Sequence, residues 1–188
     1  MRYAALLKII EKIVDSKKLE SGKFRLSKRR LILGELVEDV IAGFRPVAQE
    51  AGIKLTCQIK PDIYVNADEQ RISQVLENLL SNAVKFSPSG AEVSVNVIAI
   101  NNDRVRVQVS DNGPGISSRD YPKLFEKFQQ LDAPDRRMRG GTGLGLSICK
   151  AIIEAHAGQI GVLSCDELPD ESAKRSGSIF WFELDRIS

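Results

Sequence analysis

Asn78-Leu79-Leu80-Ser81-Asn82-Ala83-Val84-Lys85-Phe86 closes an apolar-periodic run that opens at Glu69. Ile72, Val75, Leu76, Leu79, Leu80 and Ala83 recur at i, i+3, i+4, i+7, i+8 and i+11, which predicts a helix over 69–86 with one buried stripe. Asp68 stands where an N-cap belongs. Ser87-Pro88 stops the run, because the residue before a proline is driven out of the α region. On the far side Asn78, Asn82 and Lys85 fall at i, i+4 and i+7. Asn is a mediocre helix former, and Lys or Glu would serve a solvated face better. An amide oxygen is a hard, neutral ligand suited to Mg²⁺, and an ammonium one turn away suits phosphate. A merely solvated polar face accounts for the stripe equally well.

Outward from this helix, elements of both kinds intermix. Upstream, Val37, Val40, Ile41, Phe44 and Ala48 predict a helix from about Leu33 to Ala51, which Pro46 should kink or split near Arg45. A short extended piece lies around Phe24–Leu26, a half-buried strand over 53–59, and a brief one at Tyr64-Val65. Downstream, alternation predicts strands over 92–100 and 104–110, turned by Asn101-Asn102-Asp103. A loop-rich stretch, 111–142, precedes a helix from about Gly143 to Ala157 and strands over 159–165 and 178–184. Without strict βαβ alternation, this order predicts an α/β (α+β) two-layer sandwich. Its mixed, mostly antiparallel sheet has about five strands, with three main helices on one face. A partial helix precedes it: Leu6, Leu7, Ile9, Ile10, Ile13 and Val14 recur at helical spacing up to Ser21-Gly22.

The 188 residues are 43% apolar and 28% charged, which excludes wholesale disorder and a membrane body. The net charge of +2 divides unevenly: residues 1–30 carry +7 and the remainder −5. The only aromatic residues of the basic segment, Tyr3 and Phe24, lie toward opposite ends and do not interleave the basic side chains as a single-strand nucleic-acid groove would require, so the segment reads as a solvated helix face and no nucleic-acid partner is expected. Lys8, Glu11 and Lys12 interrupt the first apolar stretch and exclude a signal peptide. Cys57, Cys149 and Cys165 are odd in number and widely spaced, which disfavours a disulfide framework or zinc site and fits a reducing, cytoplasmic compartment.

Two glycine-rich runs complete the candidate chemistry. Asp111-Asn112-Gly113-Pro114-Gly115-Ile116 follows a strand. Glycines admit a flat ligand close to backbone, and a carboxylate can accept from an exocyclic amine, although Asp-Asn-Gly is also a good structural turn. Gly140-Gly141-Thr142-Gly143-Leu144-Gly145-Leu146 opens a helix, where bare N–H groups and the helix dipole favour an anion. It lacks the Gly-Lys-Ser/Thr ending of a Walker loop, and no strand precedes it as in a Rossmann fingerprint.

In this order and spacing, the three stretches resemble the nucleotide-binding boxes of the ATPase fold shared by histidine kinases, gyrase B, Hsp90 and MutL (the Bergerat-type fold), and within it sensor histidine kinases of two-component systems. The N box is similar to Asn78–Phe86, the first glycine box to Asp111–Ile116, and the F box to Phe125-Glu126-Lys127-Phe128. The second glycine box is similar to Gly141–Gly145, and the closing strand to Gly177-Ser178-Ile179-Phe180. The resemblance covers about Leu33 to Leu184. It implies a catalytic ATP-binding domain over 23–188, with an ATP lid over about 117–140 and residues 1–22 as a remnant of the second helix of a dimerisation hairpin.

The resemblance implies that this chain binds ATP or ADP with Mg²⁺. Asp111 would receive the adenine amine, Asn82 would hold the metal, and the catalytic pair Asn78 and Lys85 would face the phosphates. The remaining ATP-binding positions would be Phe86, Gly113, Gly115, Ile116, Arg139, Gly141, Thr142, Gly143, Leu144, Gly145 and Phe180, with 142–145 supplying backbone donors. Gyrase-like ATPases place a water-activating Glu where Asn78 stands, and an amide cannot accept that proton at neutral pH, so transfer to a histidine is favoured over hydrolysis. The implied partners are a phospho-acceptor hairpin of the same parent protein, itself a homodimer, and a response-regulator receiver domain. A nucleotide-regulated scaffold and a gyrase-like ATPase remain the alternatives.

Two departures carry expectations of their own. Gln129-Gln130 replaces the Tyr-Arg pair whose Arg some kinases use near the γ-phosphate, so one of Arg136, Arg137 and Arg139 is expected to substitute. The acidic insertion Asp166–Arg175 reads as a surface loop. His156, the one histidine in the chain, falls on the apolar face of Ile148, Cys149 and Ile152 and is followed by Ala157 instead of an acidic residue. It reads as a packed or capping residue, so the chain by itself is expected not to phosphorylate itself.

Overall fold

The computed structural model describes residues 25–129, 143–165 and 176–187. The predicted helix over 1–22, Arg136, Arg137, Arg139, Gly141, Thr142 and the 166–175 insertion lie outside the described residues. The chain forms β1 (Arg29–Ile32), α1 (Leu33–Glu50), β2 (Lys54–Ile59), β3 (Tyr64–Ala67), α2 (Glu69–Phe86), β4 (Glu92–Ala99) and β5 (Arg104–Ser110). A 3-10 turn (Ser118–Asp120), α3 (Tyr121–Leu124), α4 (Gly145–Ala155), β6 (Gln159–Ser164) and β7 (Ser178–Ile187) complete it.

The sheet runs β1-β3-β7-β5-β4-β2, with β6 also on β7. The last strand is therefore central: its first half takes β5 on one side and β6 on the other, and its end takes β3. Among the described residues only β2 and β4 pair in parallel, in register Lys54↔Glu92 to Ile59↔Val97. The sheet is mixed and mostly antiparallel as expected, but among the described residues it has seven strands instead of about five. The surplus comes from strands of four residues, β1 and β3, paired Arg29↔Ala67 to Ile32↔Tyr64. Strands this short show little periodicity, and the first lies at 29–32, after the extended piece expected around Phe24–Leu26, of which Phe24 lies outside the described residues.

Val93, Val95, Val97, Val105, Val107, Val109, Phe180, Phe182 and Leu184 line one face of the central strands, and all are buried. Against them pack Ile72, Val75, Leu76, Leu79 and Leu80 of α2, Ile148, Ile152 and Ile153 of α4, and Leu36, Val37 and Ile41 of α1. The opposite face is polar. There Arg106 Nε donates to Glu183 Oε1 at 2.8 Å, and its guanidinium lies 4.4 Å from the Trp181 ring centre.

Pro46 does not break α1, which is continuous to Glu50. Ala42, whose carbonyl loses its i+4 donor, and Pro46 both lie on the exposed side. Water can satisfy that carbonyl, so the cost of the proline stays local. Helix α4 is shorter than expected because Gly143 (φ +67°) and Ala157 (φ +60°) are left-handed and cannot continue it. Asp68 caps α2 as its position suggests, its carboxylate accepting from Arg71 N at 3.2 Å.

Candidate functional site

Asn78, Asn82 and Lys85 lie half-buried along α2, opposite the stripe that packs into the core. The Asn78 amide donates to the Gln74 carbonyl at 3.1 Å, one turn back. Its oxygen faces the start of α4: a Cβ added at Gly145 would lie 3.2 Å from Asn78 Oδ1. Lys85 extends over the Phe86 ring, its ammonium 4.8 Å from the ring centre. The two Asn residues and the Lys thus share one face as the spacing predicted, and the second glycine run meets that face at Asn78.

At the other end of the segment the first glycine run meets Phe86. A Cβ at Gly113 would lie 2.8 Å from Asp111 Oδ1 and 3.1 Å from the Phe86 carbonyl oxygen, so any side chain there would strike both. Asp111, at the end of β5, is 4% exposed. Its Oδ1 accepts from Gly113 N at 2.8 Å and from Ser178 N at 3.2 Å. Asp111 N donates in turn to Ser178 O at 2.9 Å. A buried carboxylate is tolerable only when hydrogen bonded, and these donors hold Asp111 in one orientation.

Gly115 (φ +73°) packs near Ser164 Oγ, and Ile116 packs against the core. Phe180 is 6% exposed and backs the site from the core. Leu144 is buried and stands at the N-cap of α4, where its own side chain makes no capping bond. Phe128 N donates to the Gly143 carbonyl at 3.1 Å, joining the F box to the second glycine run. Within the expected lid, residues 118–124 form the 3-10 turn and α3, and Tyr121, Leu124 and Phe125 pack on the core. Arg139, Gly141 and Thr142 lie outside the described residues.

Periodicity does not reveal the residues that hold this site from behind. Tyr121 Oη accepts from Ser164 N at 2.6 Å, Ser176 Oγ donates to the Gly113 carbonyl at 2.6 Å, and Ser178 holds Asp111. Serines beside a glycine at the start of a strand carry no periodic signal. Only the chain crossing brings them to the first glycine run.

His156 is 6% exposed and both ring nitrogens are engaged. Nδ1 donates to the Ile152 carbonyl at 2.8 Å, and Nε2 accepts from Asp68 N at 3.0 Å, which requires the neutral ring. It ties the end of α4 to the start of α2. Burial pushes its pKa below the ordinary 6.5; the Ile152 bond and Asp68 oppose that shift, and Lys28 adds to it. A histidine depressed in the folded state binds its proton more readily when unfolded. Its contribution to stability is therefore complete above about pH 6.5 and is lost as pH falls from there through the folded value. His156→Leu should cost about 1–3 kcal/mol at pH 7.5 by orphaning the Asp68 N–H, and should flatten the acid-side decline of stability in urea unfolding. An unchanged pH profile in the variant would show that another group causes that decline.

Known proteins bear directly on this arrangement. The family described as histidine kinase-, DNA gyrase B-, and HSP90-like ATPase matches residues 67–187. Sensor protein GacS of Pseudomonas syringae pv. syringae is 37% identical over 184 residues, covering 95% of this chain. The chain spans 19% of the length of GacS, and the same share of the kinase BarA of Escherichia coli K12. Among solved structures, full-length ShkA in complex with AMPPNP is similar at a TM-score of 0.82 and 32% identity, over 98% of this chain and 36% of that one. Histidine kinase ThkA in complex with response regulator TrrA is similar at 0.74 and 29%, over 98% and 49%. With the two glycine runs seated at the two ends of Asn78–Phe86, the chain belongs to the histidine kinase-, DNA gyrase B- and HSP90-like ATPase family.

Proposed function

We propose that this chain is the ATP-binding catalytic part of a sensor histidine kinase, transferring the γ-phosphoryl group of ATP to a histidine on a dimerisation hairpin of its parent. The observation that carries this reading is the convergence of both glycine runs on one helical segment, Gly113 against Phe86 and Gly145 against Asn78. Asp111 receives the adenine amine, and Phe86, Gly113, Gly115 and Ile116 form the base site over the Phe180 backing. Asn78 and Lys85 meet the phosphates, and the backbone of 142–145, leading into α4, supplies N–H donors to them. A fixed acceptor at Asp111 opposes the guanine carbonyl, which gives adenine selectivity.

Among the described residues no group of three or more His, Cys, Asp and Glu could hold a metal. Mg²⁺ carried on ATP keeps phosphate and water ligands and asks for one or two protein oxygens. Asn82 would give that oxygen, and the ion would draw charge from the phosphates. One lid arginine, Arg139 in the first instance, meets the terminal phosphate in place of the missing Tyr-Arg pair. The Asn78 amide takes no proton from water, so the phosphoryl group awaits a histidine. Residues 1–22 are, in this reading, a remnant of the second hairpin helix of a homodimeric parent whose phosphoryl group passes to a response regulator. No helix among the described residues is long and apolar enough to cross a membrane, and a cytoplasmic site of action is part of the proposal.

The test supplies Mg·ATP and the parent's hairpin in trans. Phosphohistidine is expected on the hairpin, none on this chain, and no steady phosphate release. Nucleotide binding without transfer would make the chain a regulated scaffold, and steady release would make it a gyrase-like ATPase.

A further inference from the structure

Ser176 lies outside the nucleotide-binding boxes, yet its hydroxyl makes one of the shortest hydrogen bonds at the site, donating to the Gly113 carbonyl at 2.6 Å. That carbonyl belongs to the Gly113–Pro114 peptide, which has no N–H of its own. The N–H of Gly113 is already donated to Asp111 Oδ1 at 2.8 Å. Held at both its N–H and its carbonyl, Gly113 loses the conformational freedom that a glycine otherwise has. The next two residues extend the same grip. Gly177 packs directly on the Asp111 carbonyl, and Ser178 N donates to Asp111 Oδ1 at 3.2 Å.

We propose that Ser176 is a positioning residue for base selection, anchoring the Gly113–Pro114 peptide so that the Gly113 backbone keeps the N–H of the preceding peptide on the Asp111 carboxylate and holds it at one angle to the purine. This rests on the reading of Asp111 as the adenine acceptor. Without the Ser176 hydroxyl the Gly113–Pro114 peptide is released, the Gly113 backbone can shift about its φ and ψ, and the N–H of the preceding Asn112–Gly113 peptide drifts from Oδ1, the shorter of the two backbone bonds at that oxygen. The consequence is a loss of discrimination between an amine and a carbonyl at the purine 6-position, beyond any loss of stability. Ser176 itself is solvent-exposed, so the fold tolerates its replacement.

The experiment is calorimetric titration of the whole chain with ADP and with GDP, for the wild type, Ser176→Ala and Ser176→Thr, with melting temperatures alongside. Ser176→Ala should weaken ADP by about three- to tenfold, the worth of one neutral hydrogen bond, and leave GDP nearly unchanged, so the ADP/GDP ratio contracts. Ser176→Thr keeps the hydroxyl and should restore the ratio. A parallel loss for both nucleotides, or an ADP affinity within twofold of wild type, overturns the proposal. A wild type that does not prefer ADP to GDP overturns the Asp111 reading as well, which separates the two failures.

Discussion

Asp111→Asn is expected to weaken ADP binding by about ten- to a hundredfold while leaving the melting temperature almost unchanged. The surroundings of the carboxylate explain both halves. Oδ1 accepts from Gly113 N and Ser178 N, so an amide in the same place must turn its oxygen toward those two donors. Its NH₂ group then takes the position of Oδ2 and, in the proposed binding mode, meets the adenine amine donor to donor. The replacement is isosteric and the backbone bonds survive, so the fold should persist. The affinity loss corresponds to about 1–3 kcal/mol for one charge-assisted hydrogen bond. Because an NH₂ group complements a carbonyl, the preference for ADP over GDP should shrink or invert. Unchanged ADP affinity in calorimetry would remove Asp111 from the base site.

Gly177→Ala carries the largest expected cost in stability, about 3 kcal/mol or more. An added Cβ would lie 2.0 Å from the Asp111 carbonyl oxygen and 3.0 Å from its carbon, with φ at +141° in a region that side chains rarely adopt. Both neighbours are backbone, which cannot step aside as a flexible side chain could. Conformational strain and overpacking each contribute about 1–3 kcal/mol. The displaced group is the residue proposed to read adenine, so nucleotide binding should fall with stability. Chemical denaturation checks the first effect, and a variant within 1 kcal/mol of wild type would contradict the close approach. Gly90 is a control: it also has a positive φ, +86°, but nothing lies within 4 Å of its Cβ position. Alanine there should show the backbone strain without the clash.

Much of the candidate site is legible in the sequence because its parts are local. The α2 stripe, the Asp68 cap and the shared face of Asn78, Asn82 and Lys85 follow from helical geometry within 19 consecutive residues. The alternation of β4 and β5 likewise reports its own buried face. Pro46 shows the limit of such reading. Its effect on α1 depends on whether the freed carbonyl faces water, which the local pattern does not state.

The rest is decided by chain crossings. Ser178 reaches Asp111 across 67 residues, Ser176 reaches Gly113 across 63, and His156 reaches Asp68 across 88. The sequence by itself determined which residues form amphipathic helices and alternating strands and which short runs can carry nucleotide chemistry, because those properties depend on neighbours within a turn or a pleat. Only the tertiary structure decided the central place of β7, the parallel pairing of β2 with β4, and the grip on the Asp111 carboxylate. Each of those depends on which distant backbone donors arrive beside a group that burial leaves no water to satisfy.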